Sequence, residues 1–132
     1  MRVISGSARG TRLVDLDNAE IRPTLDQVKE SLFNQVGPDL TGISFLDLFA
    51  GTGSIGIEAL SRGAEQVVFV EHNSQAQSLI TRNLEKCRLT VENQTERWEL
   101  IKSDSLDSLS TLRGKGMVFD LIYVDPPFSK NL

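Results

Sequence analysis

Apolar residues fall along this chain in two patterns: short unbroken runs, and runs spaced at helical intervals. Residues 2 to 14, RVISGSARGTRLV, set apolar residues on either side of a small-residue turn, which predicts a hairpin bending at Gly6 and Gly10. After Pro23, Leu25, Val28, Leu32 and Val36 recur at helical spacing, with Thr24 as the N-cap, and Gly37-Pro38 ends that helix. Ile43 to Ala50, ISFLDLFA, is a continuous apolar run suited to a parallel strand covered on both faces. A glycine run then opens a helix to about Arg62, stopped by Gly63, and QVVFVE from Gln66 to Glu71 is the next strand. Asn73 caps a further helix, NSQAQSLITRNLEKCRL, whose Ala76, Leu79, Ile80, Leu84 and Cys87 share one face. Beyond the polar VENQTER, Trp98 to Lys102 predicts a third strand, Ser105 to Leu112 a short helix, and Phe119 to Asp125 a fourth strand ending at two prolines.

Strands alternating with helices specify an α/β fold, a Rossmann-like parallel sheet with ligands at the carboxyl ends of its strands. Residues 1–36 read as an N-terminal hairpin and helix and 37–132 as the cofactor-binding core, together one compact domain. Seven residues follow Asp125, so the sheet is expected to be truncated after its fourth core strand. That strand would then be an exposed edge open to association.

Composition narrows the partners more than the fold. No apolar run reaches the roughly 20 residues of a membrane helix, and Met1 to Gly6 has no secretory character, so a cytoplasmic protein without membrane contact is expected. Cys87 is the only cysteine and falls in a helical pattern, where a small buried side chain is the simpler reading. A net charge of -4 argues against a uniformly basic surface. Even so, Arg2, Arg9 and Arg12 meet no acid before Asp15, which leaves either a local phosphate-binding patch or scattered solvated arginines.

Chemistry concentrates where the first core strand ends. DLFAGTGSIG, Asp47 to Gly56, leaves a strand and enters a helix, and its glycines let a ligand lie against a tightly turning backbone. Gly51, Gly53 and Gly56 also satisfy the dinucleotide spacing, and Glu71 falls where a ribose-binding acid belongs, so NAD competes with S-adenosyl-L-methionine. Asp47, an acid on the strand itself, favours the latter by offering a counter-charge to the methionine ammonium. Ala50, Gly51, Thr52 and Gly53 would form the cradle, and Glu71 would accept from the ribose hydroxyls. Asp104 would accept from the adenine amine or cap the next helix. His72 is an exposed neighbour rather than a base.

Asp125-Pro126-Pro127-Phe128 closes the fourth strand, where a substrate would meet the cofactor. An amine conjugated to a base ring is a poor nucleophile because its lone pair is delocalised. Acceptors on its protons, here Asp125 and the Pro126 carbonyl, encourage tetrahedral geometry as a methyl arrives. The prolines aim that carbonyl, and Phe128 offers a flat face to a planar base. No metal is required.

With these motifs in place the chain resembles the bacterial 16S ribosomal RNA guanine-N2 methyltransferases, the RsmD family. RVISGSARGTRL resembles that family's basic hairpin, IRPTLDQVKESLFN its Arg-Pro-Thr helix, and FLDLFAGTGSIGIEALSRGA and YVDPPF its central motifs. The resemblance implies methyl transfer from S-adenosyl-L-methionine to the N2 amine of a guanine, in 16S ribosomal RNA or a small-subunit ribosomal particle. It also implies that Arg22 to Thr24 lie against cofactor or RNA. Ser7-Ala8-Arg9 and Gln27 stand where the family often carries more basic residues, which thins the inferred RNA grip. The rivals are a DNA adenine-N6 methyltransferase, for which no target-recognition region is visible, and a non-catalytic S-adenosylmethionine- or NAD-binding module.

Overall fold

A computed structural model describes residues 1–15 and 22–126, with the side chains of 22–25 outside the description. Its elements in chain order are α1 (Arg22–Val36), β1 (Ser44–Leu48), α2 (Ser54–Ser61), β2 (Gln66–Val70), α3 (Ser74–Lys86), β3 (Trp98–Ile101), α4 (Ser105–Gly114) and β4 (Leu121–Val124). The four strands form one parallel sheet in the order β3-β2-β1-β4. The chain builds outward from β1 through β2 to β3, then crosses back to place β4 on the other side of β1. The reversal lies between β1 and β4, the place in an open parallel sheet where ligands are generally held, at the carboxyl ends of the strands.

The two faces of the sheet are unequally covered. Phe45, Val67 and Phe69 look into a large cluster with Phe33 of α1, Ile57 and Leu60 of α2, and Ile80 and Leu84 of α3. Leu46, Leu48, Val68 and Val70 face a smaller cluster closed by Leu112 of α4 with Met117 and Phe119. Val3, Ala8 and Leu13 of the N-terminal segment belong to the larger cluster, so that segment packs on the same core. It forms a short hairpin around an Arg2–Arg12 bridge, and Gly6 and Gly10 take the predicted left-handed turns. A β-carbon on Gly6 would overlap the Ser61 carbonyl, so the turn seats directly on the end of α2.

Two expectations about α1 need correction. The helix begins at Arg22, with Pro23 in its first turn, and Thr24 is inside it rather than capping it. Val28 and Val36 of the anticipated apolar face are 54% and 41% exposed, while Phe33 and Lys29 are buried. The helix is turned because the slot beside α2 already carries charge. Lys29 meets Glu58 there at 3.3 Å, and the Arg62 guanidinium lies 4.9 Å above the Phe33 ring.

Candidate cofactor and acceptor site

The loop from β1 to α2 has backbone geometry that few residues tolerate. Phe49 has φ 62°, a left-handed conformation unusual for a bulky side chain, and Gly51 and Gly53 follow at 59° and 84°. Gly53 is the N-cap of α2 and has no side chain with which to cap it. Asp47 does so from the neighbouring strand: its Oδ2 accepts the Gly56 N–H at 3.0 Å. Gly56 is required for packing, since a β-carbon there would overlap the Phe69 ring and push α2 off β2.

Glu71 closes the loop from the other side. One of its carboxylate oxygens accepts the Gly51 N–H at 2.7 Å and the other the Asn73 N–H at 3.0 Å. Each oxygen keeps a lone pair for a further donor. Ala50 is tied by its N–H to the Val70 carbonyl, and the Thr52 carbonyl accepts from the Asn83 amide, so the cradle is anchored to β2 and α3.

Asp125 follows β4, beside β1. Its carboxylate is exposed and accepts from the Tyr123 hydroxyl at 3.5 Å. Asp47 and Tyr123 are register partners across the β1–β4 pair. Three carboxylates therefore converge on the strand ends, and the electrostatics record it. Burial pushes Asp47 up to about 7 against the pull of its Gly56 bond, and Glu71 and Asp125 add to the rise. Burial also raises the Tyr123 phenol, helped by Asp125 and Asp47. Among the described residues no cation faces Asp47, and its Oδ1 takes no hydrogen bond. A deeply buried, half-satisfied carboxylate fits a ligand that brings positive charge.

The other anticipated site residues are distributed as follows. Asp104 caps α4, accepting from Leu106 N–H at 2.7 Å and Asp107 N–H at 3.4 Å through one oxygen. Arg2, Arg9 and Arg12 are exposed on the hairpin. Pro126 lies just beyond β4, whereas Pro127 and Phe128, and the side chain of Arg22, are outside the described residues. Sequence reasoning missed Lys29, Glu58 and Arg62. The available signal was a Glu and an Arg four apart in an otherwise apolar helix, with a Lys four residues before a core Phe.

The sheet order, the glycine loop between β1 and α2 and the acid at the end of β2 define a Rossmann-like methyltransferase core. The sequence family described as "Conserved hypothetical protein 95" matches residues 1–132. The chain belongs to this family, the RsmD family. It is 40% identical over 132 residues to "Ribosomal RNA small subunit methyltransferase D" of Haemophilus influenzae, covering all of this chain and 66% of that protein. A solved structure, "Putative methyltransferase yhhF from Escherichia coli", superposes with a TM-score of 0.77 at 28% identity, over all of this chain and 66% of its own. A second, "SMU.776, a putative methyltransferase complexed with SAH", matches 76% of this chain and 25% of its own, with a TM-score of 0.64 at 25% identity. The chain thus spans just under two thirds of the length of the first two.

Proposed function

We propose that the chain is the S-adenosyl-L-methionine-binding part of a methyltransferase that modifies the N2 amine of a guanine in 16S ribosomal RNA. One observation carries the cofactor reading: among the described residues the buried Asp47 carboxylate meets no cation, and Glu71 and Asp125 add negative charge to its surroundings. S-adenosyl-L-methionine answers that need with an ammonium and a sulfonium, and it supplies an activated methyl group when bound. A dinucleotide would bring an anionic pyrophosphate to the same three carboxylates, which disfavours the NAD reading. Relatives named for methyl transfer to ribosomal RNA, and one bound to SAH, support the same choice.

In this reading the glycine loop holds the cofactor's backbone-facing side, Glu71 takes the ribose hydroxyls on its spare lone pairs, and Asp104 uses its second oxygen for the adenine amine. Asp125 accepts a proton of the target amine and, with the Pro126 carbonyl, draws the nitrogen towards tetrahedral geometry. Pro127 and Phe128 complete the guanine pocket, and the target base leaves its stack to reach them. Arg2, Arg9, Arg12 and Arg22 contact RNA phosphates. The β4 edge, where Ile122 and Val124 are exposed, is the place for association with further strands.

Tritium transfer from labelled cofactor into unmodified ribosomal RNA, followed by nucleoside analysis, tests the reading. Label in N2-methylguanosine is expected. Asp125→Ala should lower turnover by about two to three powers of ten while cofactor affinity holds, the scale of losing one transition-state partner. Label in another nucleoside overturns the guanine assignment, and full turnover in the variant overturns the role of Asp125.

A further inference from the structure

Lys29 belongs to no part of the cofactor or acceptor site, yet from α1 it joins two other segments, the hairpin and α2. The residue is 1% exposed and lies on the inner side of α1. It donates to the Arg2 carbonyl of the hairpin at 2.6 Å and to the Ser54 hydroxyl at 2.9 Å, and it stands 3.3 Å from Glu58. Ser54 is the first residue of α2, immediately after Gly53 of the cofactor loop. Arg2 carries one of the exposed hairpin arginines. Glu58 extends the connection by accepting the Ile4 and Ser5 amides at 2.9 Å and 3.1 Å, and the Arg62 guanidinium at 2.8 Å.

Stability alone is a poor reason for this arrangement. Burial works against the charge on Lys29, although Glu58 opposes the effect. An apolar side chain of similar volume often serves a core as well as a buried ion does, while buried ions do fix registry. Moreover, Glu58 already holds Arg62 and two amides. What Lys29 adds, and a methionine would not, is a direct bond from the hairpin main chain to the residue that leaves the glycine loop.

We propose that Lys29 is a positioning residue that locks the arginine-bearing hairpin to the start of α2, so that cofactor on the glycine loop steadies the hairpin. By linkage, a nucleic-acid backbone gripped by the hairpin steadies the cofactor loop in return. This rests on the cofactor reading above. It places the bond network, rather than direct contact, between the two ligand surfaces.

Amide hydrogen exchange at Val3 and Leu13, hairpin amides bonded within the hairpin rather than to Glu58, with and without saturating S-adenosylhomocysteine, reads the coupling without any RNA. In the unaltered chain the ligand should slow both amides by about fivefold, the lower end of ordinary coupling between sites. Ser54→Ala removes one acceptor and leaves the Glu58 and Arg2 contacts of Lys29 in place, so it should fold, still bind S-adenosylhomocysteine, and lose most of that slowing. Lys29→Met should lose it too, and Lys29→Arg should restore part of it; if the methionine variant does not fold, Ser54→Ala decides. Calorimetry on the same samples separates the failures. Ligand binding with no hairpin response, or a full response in Ser54→Ala, overturns the inference. No ligand binding at all removes the cofactor reading and the inference with it.

Discussion

Two buried carboxylates flank the central unit of this molecule, and they are treated in opposite ways. Glu58, on α2, is fully enclosed and meets two cations, Lys29 and Arg62, and two backbone amides. Asp47, on β1, is equally enclosed, but among the described residues it accepts from one amide and feels the charge of two further carboxylates. The first arrangement is complete within the chain and joins the hairpin, α1 and α2. The second is left without a counter-charge among the described residues, close to the carboxyl end of β1. A satisfied buried charge is part of the architecture, whereas an unsatisfied one is a candidate for holding a ligand of opposite charge.

The largest effect should come from opening the closed site. Glu58→Ala leaves Lys29 and Arg62 buried without a counter-charge and is expected to cost about 3 to 5 kcal/mol in urea denaturation. A loss below about 1 kcal/mol would mean that the network relaxes into solvent and that the contrast with Asp47 is false.

Neutralising the open site should do the reverse. The carboxyl of Asp47 is raised from 3.8 to about 7 in the folded chain, so between those pH values the native state holds more protons than the unfolded one. Its stabilising contribution is full below about pH 4 and is lost as pH rises through about 7, roughly 4 kcal/mol at 1.36 kcal/mol per unit. Asp47→Asn should remove that slope, stand more stable than the parent at pH 8, and bind S-adenosylmethionine less tightly. In the parent, cofactor affinity should climb with pH and level off near 7, as the carboxylate that meets the cation ionises. Identical pH–stability curves for parent and variant would end the view of Asp47 as an unsatisfied charge.

A smaller effect is expected at Glu71, which braces the loop through Gly51 and Asn73 and is proposed to hold the ribose as well. Glu71→Ala should weaken S-adenosylhomocysteine by about 1 to 3 kcal/mol in calorimetry, the scale of hydrogen bonds to a charged group. Unchanged affinity would leave Glu71 as a loop brace through Gly51 and Asn73 alone. The hairpin arginines should affect stability least. Replacing Arg9 and Arg12 should shift unfolding by no more than about 0.5 kcal/mol, since both are exposed. It should flatten the salt dependence of RNA binding by about one unit per lost phosphate contact, and an unaltered slope would make them solvated surface residues.

Much of the fold was legible because its signals are local. β1 and β2 are buried, mostly apolar runs, Asn73 caps α3 by accepting from Ala76, and Gly63 ends α2 in a left-handed turn. Asp104 was balanced between ligand and cap, and the cap is present. The face of α1 was misread because periodicity treats Lys29 as polar and therefore outward, and it cannot know that Glu58 lies opposite. Conversely, Val28 and Val36 read as core although the slot they would fill is taken by Phe33 and the Arg62 stack.

What the sequence by itself determined is the succession of strands and helices, the glycine loop, and the acids Asp47, Glu71 and Asp125 at strand ends. Backbone propensity, capping and the order of motifs act between residues close along the chain, and a linear reading captures them. Only the tertiary structure decided which charges are answered and which are left open. The partners of Glu58 come from positions 29 and 62 and from the amides of 4 and 5, and the carboxylates facing Asp47 come from 71 and 125. Burial multiplies the strength of an electrostatic interaction, and burial is a property of the packed chain. A carboxylate is therefore a structural tie on α2, while on β1 it is buried with no answering cation among the described residues.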